Sequence, residues 1–261
     1  MISSRPPFVL VTGGKGGVGK TTVTAQLGVD LARKGKRVLL IDLDLGLANL
    51  DIALGVGVGS DIEDALAGRC SIQDCIVKGP GGVDLLPASS GSEHMVRRAD
   101  DLRRWLLEQI DELADSYDII LGDGAAGIGP DVLGFAVVAQ RVLVVTTPEV
   151  AAITDAYGLI KALDQHGARL GLDIPTPETF INLASDVEEA KGIGRKLRAM
   201  CERFLARSPR DAGWLPRSFR LVGEGACERR PGPLEEACLR HLGDRLQRMI
   251  RTERPVLGGR S

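Results

Sequence analysis

"FVLVTGGKGGVGKTTVTAQL", residues 8–27, joins a short apolar run to a glycine-rich turn with two lysines and then to a helix-forming stretch. Gly14 through Thr21 match G-x-x-x-x-G-K-[ST]. The match follows a predicted strand (8–12) and precedes a helix in which Val23, Leu27 and Leu31 recur at i, i+4 and i+8, the context the motif requires. Its glycines let backbone N–H groups turn inward onto phosphate oxygens, and the helix starting near Lys20 adds the positive end of its dipole. The candidate phosphate cradle is therefore Gly14, Lys15, Gly16, Gly17, Val18, Gly19, Lys20, Thr21 and Thr22. Lys20 is placed to bridge β- and γ-phosphates, and the Thr21 hydroxyl to ligate Mg²⁺. Lys15, five residues before Lys20, is one lysine more than such a loop needs.

Outward from the loop, short runs rich in Val, Ile and Leu alternate with helical patterns. "RVLLID" (37–42), "VDLLPA" (83–88), "YDIILGD" (117–123), "RVLVVTTP" (141–148) and "TFINLA" (179–184) read as further strands. They are nearly continuous in apolar residues, as expected of strands covered on both faces. Trp105, Leu106 and Ile110 form a stripe within 94–115, and 153–163 and 194–206 carry helical patterns too. The alternation predicts an α/β fold, a doubly wound, mostly parallel sheet with helices on both faces. No repeat or low-complexity linker divides it, so residues 1–261 read as a single domain. Segment 208–233, with four prolines and four glycines, reads as a loop-rich connection to a last helix over 234–252.

Acidic residues stand where a nucleotide site needs them. Asp123 closes "DIILGD", the place for a carboxylate that holds Mg²⁺ through its water, and runs into "GAAGIG", a stretch able to sense a γ-phosphate. Asp42 and Asp44, two residues apart at the end of the second strand, point the same way. One of them is placed to orient an attacking water; Asp44, which opens the "LGLANLD" loop, is the stronger candidate, with capping or turn roles as the alternative. The end of the 179–184 strand reads Asn182-Leu183-Ala184-Ser185, without the N-K-x-D motif that reads guanine, so adenine is preferred.

Composition narrows the function classes. A net charge of −2 and an isoelectric point near 6.0 give no case for direct nucleic-acid binding. Cys70, Cys75, Cys201, Cys227 and Cys238 make no CxxC, no zinc spacing and no even disulfide set, and read as small buried hydrophobes in a reducing compartment. The start "MISSRPPFVLV" is too short in apolar residues for a secretory signal, and no stretch approaches the ~20 apolar residues of a membrane-spanning helix. A cytoplasmic location is expected.

"KGGVGKT" resembles the deviant phosphate loop of the MinD/ParA ATPases, whose mark is the extra lysine. "IDLDLGLANLDIALG" (41–55), "LAGRCSIQDCIVKGPGGVDLLPASSG" (66–91), "VVTTPEVAAITDAYGLIKAL" (144–163) and "CERFLA" (201–206) are most similar to the FlhG/FleN branch, the regulators of flagellar number and placement. The resemblance spans roughly residues 8 to 206. It implies ATP with Mg²⁺ as cofactors and an ATP-dependent homodimer. Lys15 would reach the partner subunit's phosphates, Asp44 would orient the water, Asp123 would be the magnesium-side switch aspartate, and Asn182 would read the adenine edge. It also implies slow, regulatory ATP hydrolysis and a flagellar-assembly or transcriptional-regulator partner.

Two features depart from the branch. Its members often carry an N-terminal segment that stimulates the GTPase FlhF; only seven residues precede the first strand here, so no FlhF-type activation is expected from them. The late "iPxD" region reads "WLPRSF" (214–219), with Ser218 at the aspartate position. The last helix places Leu234, Cys238, Leu242, Leu246, Met249 and Ile250 on one stripe, with Arg245, Arg248 and Arg251 nearby. Family members use such a helix for peripheral contact with the inner face of the cell membrane. Glu235, Glu236 and Asp244, and the lack of Trp or Phe, favour docking on the sheet instead. Alternative functions are a MinD-like division-site or cargo-positioning ATPase and, further off, a redox or metal-delivery ATPase like the nitrogenase iron protein. The latter needs a thiolate just past Asp123, and residues 123–135 hold no cysteine.

Overall fold

The apolar runs become neighbouring strands of one eight-stranded sheet in the computed structural model, which describes residues 7–88, 99–113, 116–172, 174–205, 207–217 and 231–253, the side chains of 99–103, 111 and 247–253 excepted. The strands are β1 (Phe8–Gly13), β2 (Val38–Leu43), β3 (Val77–Lys78), β4 (Asp84–Leu86), β5 (Ile119–Ala126), β6 (Arg141–Thr146), β7 (Glu178–Ala184) and β8 (Arg210–Pro216). Their order is β3-β4-β2-β5-β1-β6-β7-β8, parallel throughout except for the β3–β4 pair. All six residues of β1 and all six of β2 are buried, which explains why these strands lack polar alternation.

Alternate residues of the central strands feed two separate cores, because successive side chains leave opposite faces. Leu10, Leu39, Ile41, Ile120 and Val144 face one layer of helices and pack with Leu106, Phe135, Leu159 and Leu197. Those residues come from α4 (Ala99–Leu113), α5 (Pro130–Val138), α6 (Val150–Leu170) and α7 (Val187–Leu205). Val9, Val11, Leu40, Leu121 and Val145 face the other layer, meeting Val23, Leu27 and Leu31 of α1 (Lys20–Arg33) and Leu239, Leu242 and Leu246 of α8 (Pro233–Glu253). Two short helices, α2 (Leu50–Leu54) and α3 (Ile62–Leu66), follow β2. The fold is the doubly wound sheet read from the sequence.

Segment 208–233 is not all connection. Its first part is β8, which pairs parallel to β7 and receives α8 on its face. Gly213 and Pro216 are tolerated there because β8 is an edge strand, with one side of its hydrogen-bonding groups unpaired. The helix after it docks as its acidic residues suggested: Cys238, Leu242 and Leu246 are buried, while Leu234 stays exposed. The side chains of Met249 and Ile250 and of the nearby Arg248 and Arg251 lie outside the described residues, as does Ser218. Among the described residues no helix is long and apolar enough to cross a membrane.

Candidate functional site

β1 lies at the centre of the sheet, with β5 on one side and β6 on the other, so the chain winds away in both directions from its C-terminal end. That reversal leaves a crevice beyond the strand ends, and the loop 14–19 fills its floor. Gly14 lies so close to α6 that a β-carbon there would stand 2.1 Å from the Asp155 carbonyl. Gly19 starts α1 in the left-handed region, φ +88°, where other residues are strained. Behind it Asn182, at the end of β7, donates from Nδ2 to the Val18 carbonyl at 2.9 Å and pins the loop from below. The loop is held on both sides before any ligand arrives.

The two lysines of the loop lie in different surroundings. Lys20 is 8% exposed. Its charge acts on Asp123, which is 1% exposed within β5, a strand that runs on to Ala126. Lys15 has a side chain 40% exposed, and its Nζ sits 2.9 Å from Glu149 Oε2 at the start of α6. The hydrogen bond and charge of Glu149 hold the Lys15 ammonium above its ordinary pKa. One lysine faces the interior of the cradle; the other is carried on its rim.

A pair of buried carboxylates stands across adjacent strands, Asp42 on β2 in register with Asp123 on β5. Burial, and then the charge of Asp123, pushes Asp42 up to about 7. Burial likewise pushes Asp123 up to about 6, opposed by hydrogen bonds from Thr21 and Thr24 and by the charge of Lys20. Thr24 Oγ1 donates to Asp123 Oδ1 at 3.1 Å. Asp42 accepts the backbone N–H groups of Asp44 (3.1 Å), Asn49 (3.0 Å) and Leu50 (3.0 Å), and so folds the chain after β2 into a closed turn that starts α2. Asp44 is half-buried at the head of that turn and accepts the Leu47 N–H.

This arrangement fits a magnesium ion carried in with phosphate. Two carboxylates are driven toward protonation by burial and by neighbouring carboxylates, Asp123 acting on Asp42 and Asp44 on Asp123; Thr21 and Thr24 hydrogen-bond Asp123, and a dication relieves both effects. Among the described residues no group of three or more His, Cys, Asp or Glu side chains could hold a metal by itself. The remaining ligands would come from the nucleotide and water, as is usual for Mg²⁺.

Beside the loop opens a cleft of about 530 Å³ lined by Thr147, Pro148, Glu149, Leu183, Glu189 and Arg217. Leu183 adopts φ +60°, a strained conformation of the kind that collects at binding sites. Arg217 holds this turn, donating its N–H to Ala184 O at 2.8 Å and its Nε to Leu183 O. Asn182 sits beneath the phosphate loop beside this cleft, and its Oδ1 meets no partner among the described residues. Leu183, Glu189 and Arg217 are missed by sequence reasoning, although the altered stretch around residue 217 is its one visible sign. The structure thus brings the loop, Lys20, Thr21, Asp42, Asp123 and Asn182 together at one crevice. Asp44 lies at its edge, and Lys15 is turned outward.

A family described as an AAA domain matches residues 8–173. The antiactivator FleN of Pseudomonas aeruginosa is 40% identical over 218 residues, which cover 83% of this chain and 76% of FleN. The flagellum site-determining protein YlxH of Helicobacter pylori is 40% identical over 156 residues, 59% of this chain and 52% of YlxH. In structure, the cell division ATPase MinD of Pyrococcus furiosus superposes with a TM-score of 0.73 at 27% identity, over 94% of this chain and 99% of that one. With such likeness along most of its length, on a fold shared with a cell division ATPase, this chain belongs to the MinD/ParA-type ATPases and to their FlhG/FleN branch.

Proposed function

We propose that this protein is an ATP-dependent dimerisation switch with slow ATP hydrolysis, and that it regulates flagellar number or placement. The observation that carries the switch is the division of labour between the lysines. Lys20 is buried where phosphates would lie, whereas Lys15 is exposed on the rim and paired with a surface carboxylate. A surface ion pair is worth little, so Lys15 is free to exchange Glu149 for a stronger anion. The triphosphate of a second copy is such an anion. Exposed Leu47 and Ile128, on the loops after β2 and β5, and Val150, at the start of α6, supply apolar area on the same edge of the sheet.

In this reading the loop N–H groups, Lys20 and Thr21 bind the phosphates of ATP. Asn182 Oδ1 accepts from the adenine amino group, and Arg217, Pro148 and Leu183 wall the base. Mg²⁺ would be held by Thr21 and, through water, by Asp123; when bound it supplies charge neutralisation at the phosphates. Asp44 orients the attacking water. The flagellum site-determining relative YlxH supports a flagellar role, and the antiactivator FleN supports a transcriptional regulator, beside a flagellar-assembly protein, as the reader of the dimer. The likeness to MinD favours a second reading, placement of the division site.

Light scattering with ADP and with a non-hydrolysable ATP analogue tests the switch. The expected result is a monomer with ADP and a dimer with the analogue. Asp44→Ala should form the same dimer with ATP itself and keep it, since binding survives while turnover stops. A monomer under all these conditions would refute the switch. In cells lacking the protein, altered flagellar number with normal septa supports the flagellar reading; misplaced septa with normal flagella supports the other.

A further inference from the structure

Cys70 and Cys75 flank the tight turn that leads from α3 to β3, and their Sγ atoms are 3.4 Å apart. The turn is braced: Ser71 donates its N–H (3.0 Å) and its hydroxyl (2.6 Å) to Asp74 Oδ2, and the Asp74 N–H returns to Ser71 Oγ. Cys75 is fully buried, and its thiol also lies 3.1 Å from the Asp61 carbonyl at the head of α3. Cys70 is half-buried and reachable from solvent. Cys201 and Cys238 are buried elsewhere, in opposite helix layers.

The bland role of small hydrophobes does not require two sulfurs in contact, one open and one enclosed. A reagent can meet Cys70, while Cys75 waits behind it, held close by a turn that is already ordered. Closing the contact to a disulfide's S–S length of about 2 Å is a movement of the two side chains across a gap the backbone has already set. Sensor cysteines share this design, an accessible thiol with a resolving thiol beside it.

We propose that Cys70 and Cys75 form a redox modification site, which a hydroperoxide converts to an intramolecular disulfide. The Cys70 thiolate attacks one peroxide oxygen; the O–O bond breaks, a hydroxide leaves, and Cys70 becomes a sulfenic acid. Cys75 sulfur then attacks Cys70 sulfur and displaces the hydroxyl, which leaves as water with the Cys75 proton. Overall two thiols are oxidised, one hydrogen peroxide is reduced, and two waters form. A dithiol reverses the change by exchange through a mixed disulfide. Burial, and then the hydrogen bond to Cys70, push the Cys75 thiol up to about 12, so the half-buried Cys70 rather than Cys75 is the sulfur that meets the peroxide.

Both thiols fall in the tryptic peptide 70–78, between Arg69 and Lys78. The full-length reduced protein is treated with hydrogen peroxide, alkylated under denaturing conditions and digested. The expected product is peptide 70–78 without alkyl label and lighter than the unlabelled dithiol by two hydrogen atoms, with labelling restored by dithiothreitol. Cys75→Ser should leave Cys70 as a sulfenic acid that dimedone traps. Full alkylation of both thiols after peroxide overturns the proposal. Overoxidation of Cys70 with Cys75 still free, or a disulfide from Cys70 to any other cysteine, overturns it as well.

Discussion

Gly14, Gly16, Asp42 and Asp123 show how single residues build the site. A side chain at Gly14 would run into the backbone of α6, which cannot yield as a flexible side chain can, whereas a β-carbon at Gly16 meets nothing within 4 Å. Gly14→Ala should therefore lower the thermal midpoint by several degrees and displace the loop, while Gly16→Ala should leave the midpoint unchanged; thermal melts of both variants check this. The carboxylates give a dependence on pH. Asp42 and Asp123 are raised from 3.8 to about 7 and about 6, so each binds its proton more tightly in the folded chain than in the unfolded one. The stability they contribute is complete below about 4 and is lost as pH rises through about 6 and about 7. The urea midpoint of nucleotide-free protein should fall across that window, and Asp42→Asn should remove the upper part of the fall. A midpoint that rises steadily from pH 4 to pH 7 would count against the burial of these two groups.

Among the elements, α8 is where a membrane contact and a docked helix compete. Its apolar stripe is spent on α1 and β8, and Arg245 closes the contact by donating from Nε to Glu178 Oε2 at 2.8 Å. Glu178 is 1% exposed, at the start of β7. Arg245→Ala leaves that carboxylate buried and unpaired, which should cost about 3 kcal/mol in chemical denaturation; adding Glu178→Gln should recover part of the loss. The same element scale shows what a sequence hides. The central strands were legible because both faces are apolar, and the phosphate loop because its ligating atoms are contiguous. β8 was not: Arg210, Asp211, Gly213 and Pro216 suit an edge strand whose partner lies some thirty residues away, and no local pattern reports that partner. α2 was hidden for a related reason, since its first turn is fastened by Asp42, eight residues before Leu50. The cleft beside the phosphate loop takes Pro148 from one strand end, Leu183 from the next and Arg217 from a third. Their neighbourhood exists only once β6, β7 and β8 have paired.

For the whole molecule, the sheet gathers the phosphate loop, Asp42, Asp123 and Asn182 at one crevice and carries Lys15 on its rim. Lys15 is held by Glu149 across the surface, outside the cradle that Lys20 completes. If its task is in the partner subunit, binding and dimerisation must separate when it is removed. The decisive measurement is light scattering of Lys15→Ala with a non-hydrolysable ATP analogue, at concentrations where calorimetry shows the nucleotide bound. The expected result is analogue affinity within a few-fold of the parent, through Lys20 and Thr21, with a mass that stays that of one chain. A Lys15→Ala dimer as tight as the parent's would contradict the role of the second lysine.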